Sequence, residues 1–180
     1  MFVTGRPGVG KTTLIMRVIE ELKKQGYTVG GMVTNEVLES GQRVGFELTD
    51  LYSNKKGELA HVNRPSGPKV GKYRVNLECL SSVGATSIKE AVAKTDIVVI
   101  DEVGPMELNS EEFKSAVKEA LGSSKLVIGT FHFRLSDPLI KEIGKRRDAS
   151  IFEVDVGNRG FLPRKILDAA LLFLRMGRAK

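Results

Sequence analysis

Two periodicities alternate along this chain. Behind the apolar Phe2-Val3, residues Leu14, Ile15, Val18, Ile19 and Leu22 recur at helical spacing, so the segment after Lys11 predicts a helix with one apolar face, stopped at Gly26. Tyr27 to Thr34 reads as a strand whose Gly30-Gly31 permits close approach of another backbone. Between Arg43 and Leu77 the pattern changes to short β-like runs, Val44–Leu48, Leu59–Val62 and Tyr73–Leu77, separated by turn clusters such as Ser53–Gly57 and Asn63–Pro68. The α/β rhythm then returns. A short helix is expected near Ile88 to Lys94, and Ile97-Val98-Val99-Ile100 is a β-branched run of the kind buried on both faces of a parallel sheet. Asn109 with Glu112 resembles a capping box ahead of the stripe Phe113, Ala116, Val117, Leu121, which ends at Gly122. Strand Leu126–Thr130, a helix started by Asp137-Pro138, strand Ile151–Val156 and a helix opened by Pro163 complete the series.

This alternation predicts an α/β fold, a mostly parallel central sheet with helices on both faces, extended by an antiparallel β element over roughly residues 43–77. The 180 residues, 41% of them hydrophobic, are read as one domain. A single cysteine, Cys79, excludes an intrachain disulfide and is read as packed, which suits a reducing compartment. No apolar leader-like stretch precedes Gly5-Arg6, and the run Ala169–Leu174 is far short of the roughly 20 residues of a membrane span. A cytoplasmic protein without membrane contact is therefore expected.

Charge changes the picture little. Lys and Arg number 28 against 22 acids, a net +6, with clusters at Lys141, Lys145, Arg146, Arg147 and at Arg175, Arg178, Lys180. Glu142 and Asp148 interrupt the first cluster and tryptophan is absent, so solvated faces are favoured over a nucleic-acid partner.

The chemistry lies in two segments. Gly5-Arg6-Pro7-Gly8-Val9-Gly10-Lys11-Thr12 fits G-x-x-x-x-G-K-[ST], with Thr13 next, and sits between a strand and a helix as the motif requires. Its backbone N–H groups and the helix N-terminus suit phosphates, Lys11 suits the β/γ position, and the Thr12 hydroxyl suits Mg²⁺. Asp101, directly after four apolar strand residues, is the second expected Mg²⁺ ligand. Glu102 beside it is the expected catalytic carboxylate, orienting water toward the γ-phosphate, with Lys11 as the catalytic cation. Arg134, Arg159 and the loop residue Arg6 are candidate extra cations, and Thr130 and His132 candidate γ-phosphate sensors. His61 and His132 lack the partners of a zinc site, so no metal besides Mg²⁺ is expected. No Asn-Lys-x-Asp base reader follows an apolar strand, which points to loose base selectivity.

With these residues in view, the chain resembles the small P-loop nucleoside-triphosphatase family of thermophilic microbes, known in animals as cancer-related nucleoside-triphosphatase. The matching segments are Thr4–Thr13, Gly45-Phe46 after Glu36 and Arg43, Val70-Gly71-Lys72-Tyr73-Arg74-Val75, Ile100–Glu107, and Asn158-Arg159 followed by Leu162-Pro163. The resemblance implies a RecA-like P-loop fold and Mg²⁺-dependent hydrolysis of ATP, GTP and other nucleoside triphosphates. It carries the nucleotide-binding segments over to Gly5–Thr12 and to Ile97, Val98, Val99, Ile100, Asp101, Glu102, Val103 and Gly104. Gly160 departs from the charged residue expected after Asn-Arg. Two other readings stay open: a nucleotide, nucleoside or polynucleotide kinase with its lid among Arg64–Arg74 or Lys145–Arg147, and a nucleotide-switched module on nucleic acid. Oligomeric state is not read from the sequence.

Overall fold

The computed structural model describes residues 1–132 and 135–178. Strand β1 (Phe2–Thr4) leads into helix α1 (Lys11–Lys24), and β2 (Val29–Glu39), β3 (Gln42–Asp50) and β4 (Lys56–His61) follow. Short β5 (Lys69–Val70) and β6 (Tyr73–Val75) precede α2 (Leu77–Cys79), a π-helical stretch over Leu80–Ala85, and α3 (Thr86–Lys94). The remainder comprises β7 (Ile97–Val103), a 3₁₀ turn over Glu107–Asn109, α4 (Glu111–Gly122), β8 (Leu126–Phe131), α5 (Pro138–Lys145), β9 (Ile151–Glu153) and α6 (Leu162–Arg178).

All these strands form one sheet in the order β5-β6-β4-β3-β2-β7-β8-β1-β9. From β2 to β9 each neighbouring pair is parallel. From β2 outward through β3, β4, β6 and β5 each is antiparallel. The expected antiparallel element is thus an extension of the same sheet, hinged on β2.

The apolar stripes explain the layers. In β7, Ile97 and Val99 join the cluster of Leu14, Ile15, Val18 and Ile19 from α1 and Ile166 and Ala170 from α6. Val98 and Ile100 point the other way, into the cluster with Ile88, Phe113, Val117 and Ile143 from α3, α4 and α5. Period-two alternation with both sets apolar requires helices on both faces. Each such side chain contributes about 1.5–3 kcal/mol of burial. Gly31, at φ 99°, lets β2 run tight against β7, because a Cβ there would lie 2.1 Å from the Val99 carbonyl oxygen.

Several boundaries differ from the sequence expectation, and the strand expected over Ile151–Val156 stops at Glu153, where the Asn158 side chain donates to the Glu153 carbonyl at 2.9 Å. β2 continues to Glu39 and turns back through Ser40-Gly41, both at positive φ, a two-residue hairpin whose twist matches its strands. The run Tyr73–Leu77 stops at Val75, because the Asn76 side chain accepts the Cys79 N–H at 3.1 Å and starts a helix that continues into α3. The cap of α4 is Ser110, whose Oγ accepts the Phe113 N–H at 3.2 Å, while Asn109 bonds back to Pro105 O at 2.7 Å. Asp137 and Pro138 open α5 as expected, the Asp137 carboxylate accepting the Leu139 N–H at 2.8 Å. Cys79 is buried, which pushes its thiol up to about 11, and it packs beneath Gly57.

Candidate active site

The carboxyl ends of the parallel strands open onto one cleft of about 660 Å³. One wall is the phosphate loop, contributing Pro7, Gly8, Gly10, Lys11, Thr12 and Thr13. Gly10 caps α1 at φ 101°, a left-handed conformation that glycine adopts freely, and among the described residues no side chain caps the first-turn N–H groups. Those donors and the positive end of the helix dipole are left for an anion. Lys11 is buried along its stem, and its Nζ donates to the Gly5 carbonyl at 3.4 Å.

The opposite wall is the tip of β7. Asp101 is 1% exposed and its Oδ1 accepts a hydrogen bond from the Thr130 hydroxyl on β8 at 2.6 Å. Thr130 can reach it because β8 lies between β1 and β7. Burial pushes the Asp101 carboxyl above its ordinary range, and the Thr130 and Thr12 hydroxyls and the Lys11 ammonium pull against that rise. Asp101 Oδ2 is buried with no hydrogen-bond partner among the described residues. An orphaned carboxylate oxygen facing a threonine hydroxyl is a donor set that fits a hard divalent cation, with the substrate's phosphates completing its shell. Among the described residues no three His, Cys, Asp or Glu side chains group to hold a metal by themselves.

Glu102 Oε1 stands 3.9 Å from Lys11 Nζ. Burial raises its carboxyl as well, opposed by Lys11 and reinforced by the Asp101 charge. Behind it, Glu107 is 4% exposed, accepts the Gly104 N–H at 3.1 Å, and is pushed up to about 8, mainly by burial. The sequence reading gave Glu107 no role of its own; an acid shortly after a strand tip stands out only once it is buried.

The other expected site residues divide. His132 lines the cleft. Val103 and Gly104 are buried at the end of β7, Gly104 lining the cleft, whereas Ile97, Val98, Val99 and Ile100 are core residues that carry Asp101 into place without facing the cleft. Arg6 and Val9 belong to the loop but do not line the cleft, and Arg6 is exposed. Arg159 is exposed on the turn after β9, its N–H bonded to Asp155 O at 3.1 Å, and also stands outside the cleft wall. Arg134 lies outside the described residues. The two lid candidates divide: Val70, Gly71 and Tyr73 of the Arg64–Arg74 segment line the cleft, whereas Arg64 pairs with Glu58 at 2.9 Å, Arg74 donates to Gly67 O at 3.2 Å, and Arg146 of the other cluster pairs with Asp148 at 2.7 Å. Unforeseen as a wall of the site are Glu36, Arg43 and Phe46 from the antiparallel extension, which stand there with Tyr73 of the expected lid segment. Their separations in sequence hide that they meet. Among the described residues no helix is long and apolar enough to cross a membrane.

A family model described as NTPase matches residues 1–167. The chain is similar to the nucleoside-triphosphatase THEP1 of Thermofilum pendens, 47% identical over 165 residues that cover 91% of either chain. Its fold is similar to the crystal structure of THEP1 from the hyperthermophile Aquifex aeolicus, with a TM-score of 0.84 at 30% identity over 94% of this chain and 98% of that one. It is also similar to the solution structure of a human cancer-related nucleoside triphosphatase, with a TM-score of 0.80 at 35% identity over 94% of this chain and 95% of that one.

Proposed function

The chain belongs to the NTPase family and has its RecA-like P-loop fold, and we propose that it cleaves the γ-phosphate from Mg²⁺-bound ATP, GTP and other nucleoside triphosphates by in-line attack of a water oriented by Glu102. The observation that carries this reading is the 3.9 Å approach of Glu102 to Lys11 in the cleft that the phosphate loop walls. The cation suited to the β/γ position and a carboxylate able to take a proton from water therefore face the same point.

The loop N–H groups and the α1 N-terminus hold the diphosphate portion, and Lys11 turns from Gly5 O to the γ-phosphate oxygens. Thr12 and the orphaned Asp101 oxygen would hold the Mg²⁺, which neutralises charge developing on the β- and γ-oxygens when bound. Thr130 keeps the Asp101 carboxylate turned toward that position. Glu102 accepts the proton of the attacking water, and its burial-raised basicity favours that step. With no Asn-Lys-x-Asp reader, selection rests on the triphosphate more than on the base.

The test is phosphate release from Mg·ATP and Mg·GTP with no added acceptor, measured over hours because unassisted P-loop enzymes turn over at about 10⁻⁴ to 10⁻² s⁻¹. Glu102→Gln is expected to keep nucleotide affinity and lose roughly 10²- to 10⁴-fold in turnover. Equal release by the variant would remove Glu102 from the chemistry, and no release by the wild type would remove hydrolysis.

A further inference from the structure

The cleft is longer than attack by water requires. Its volume of about 660 Å³ includes the phosphate-loop end that takes the triphosphate, and its wall continues past Glu102 to Arg43 and Phe46 on β3 and Tyr73 on β6. The sheet order gives this wall a direction. From β1 the strands run β8, β7, β2, β3, so the wall stands on the far side of the carboxylates from the phosphate loop. β3 is two strand spacings, about 10 Å, beyond β7. Attacking and leaving oxygens lie on opposite sides of the γ-phosphorus. The loop holds the leaving side and Glu102 marks the attacking side, so the wall faces the attacking group rather than the base of the nucleotide being cleaved.

This wall is an assembled surface. Phe46 and Tyr73 meet edge to face, ring centroids 5.1 Å apart at 71°. The Arg43 guanidinium carbon lies 5.1 Å from the Phe46 centroid, Nε donates to the Tyr73 hydroxyl at 3.0 Å, and Nη1 pairs with Glu36. The register between β3 and β4 shifts between Phe46 and Glu47, a bulge of the kind that re-aims a side chain beside a site. Rings and a guanidinium plane locked together in this way suit a planar, stacking ligand. Charge narrows the choice. Arg43 is already paired, and Glu36, Glu102 and Glu107 also line the cleft, so a neutral ligand is favoured over an anionic one.

We propose that this chamber binds a nucleoside as a second substrate and that the protein also transfers the γ-phosphoryl group to its hydroxyl. The inference rests on the hydrolytic reading above, because Glu102 serves both. The nucleoside hydroxyl oxygen forms the new bond to the γ-phosphorus, and its proton passes to the Glu102 carboxylate. The bond from that phosphorus to the bridging oxygen breaks, and its electron pair leaves on the nucleoside diphosphate. Water takes the same path when the chamber is empty.

The test uses the intact protein with Mg²⁺, γ-radiolabelled ATP and an excess of adenosine, guanosine, cytidine or uridine, the products being separated by chromatography. At least one nucleoside is expected to yield labelled nucleoside monophosphate. The ratio of labelled nucleotide to labelled phosphate is expected to fall about 5- to 150-fold in Phe46→Ala, the measured worth of one base stack. It should fall in Arg43→Met too and be restored in Phe46→Tyr. Label appearing only as phosphate with all four nucleosides would overturn the acceptor chamber while leaving hydrolysis standing. Label appearing only on a 5′-hydroxyl oligonucleotide, included as a fifth acceptor, would overturn the nucleoside assignment. No release of label under any condition would sink both readings.

Discussion

Replacing Thr130 by valine would isolate the contact that strand order creates. The substitution keeps the side-chain shape and exchanges the hydroxyl for a methyl. The lost bond is a 2.6 Å O–H···O contact to Asp101 Oδ1, with its residues 0% and 1% exposed. Hydrogen bonds to a charged group contribute about 1.5–3 kcal/mol, and water cannot enter easily to replace this one. The other Asp101 oxygen already lacks a hydrogen-bond partner among the described residues, so the variant carboxylate would retain only Thr12 and Lys11 as support. Two consequences follow for Mg·nucleotide. Its affinity should fall about 10- to 150-fold at neutral pH, the equivalent of that energy. The loss should shrink as pH rises, because removing the Thr130 donor lets burial push the Asp101 carboxyl further up, and a protonated acid cannot ligate a cation. Equilibrium dialysis of Mg·ATP at pH 7 and pH 9 measures both, with urea unfolding as the control for a folded variant. An affinity within about twofold of wild type at pH 7, or a loss that does not change with pH, would refute the claim that Thr130 maintains the ligating carboxylate.

Lys11→Ala removes the cation opposite Glu102 and should lower turnover about 10²- to 10³-fold, the cost of losing one donor to developing charge, measured as phosphate release. Glu107 gives a pH signature. Its folded carboxyl is raised from 4.5 to about 8, so the folded protein retains a proton that the unfolded chain releases. The resulting stability is complete below about pH 4.5 and is lost as pH rises toward about 8. Glu107→Gln should remove that slope, up to about 1 kcal/mol per pH unit, so that urea-unfolding curves of wild type and variant converge or cross between pH 5 and 8 instead of running parallel. Gly31→Ala would drive a Cβ into the Val99 backbone at positive φ, and a loss of about 3 kcal/mol or more is expected in the same unfolding assay. A normal midpoint would show that β2 can move away from β7 at little cost.

Much of this protein is determined by local pattern. The stripe Leu14, Ile15, Val18, Ile19, Leu22 specifies α1 and its buried face, and Ile97–Ile100 specifies a strand covered on both sides. The phosphate loop and the Asp101-Glu102 pair are likewise legible, because their chemistry depends on contiguous residues that a strand tip or a helix start presents together. Local pattern misled at boundaries, in two cases because side chains competed for backbone groups: Asn76 turned an expected strand residue into a helix cap, and Ser110 capped α4 in place of Asn109. What no local pattern contains is the identity of each strand's neighbour. Periodicity records which face of a strand is buried, not which strand lies beside it. Only the tertiary structure inserts β8 between β1 and β7 and so brings Thr130 onto Asp101. Only it buries Glu107 behind Glu102, and it alone folds the antiparallel extension so that Arg43, Phe46 and Tyr73 close the far end of the cleft. Thr130 with Asp101 and Arg43 with Tyr73 join residues about 30 positions apart, and they meet because packing of the whole sheet sets the distances between them.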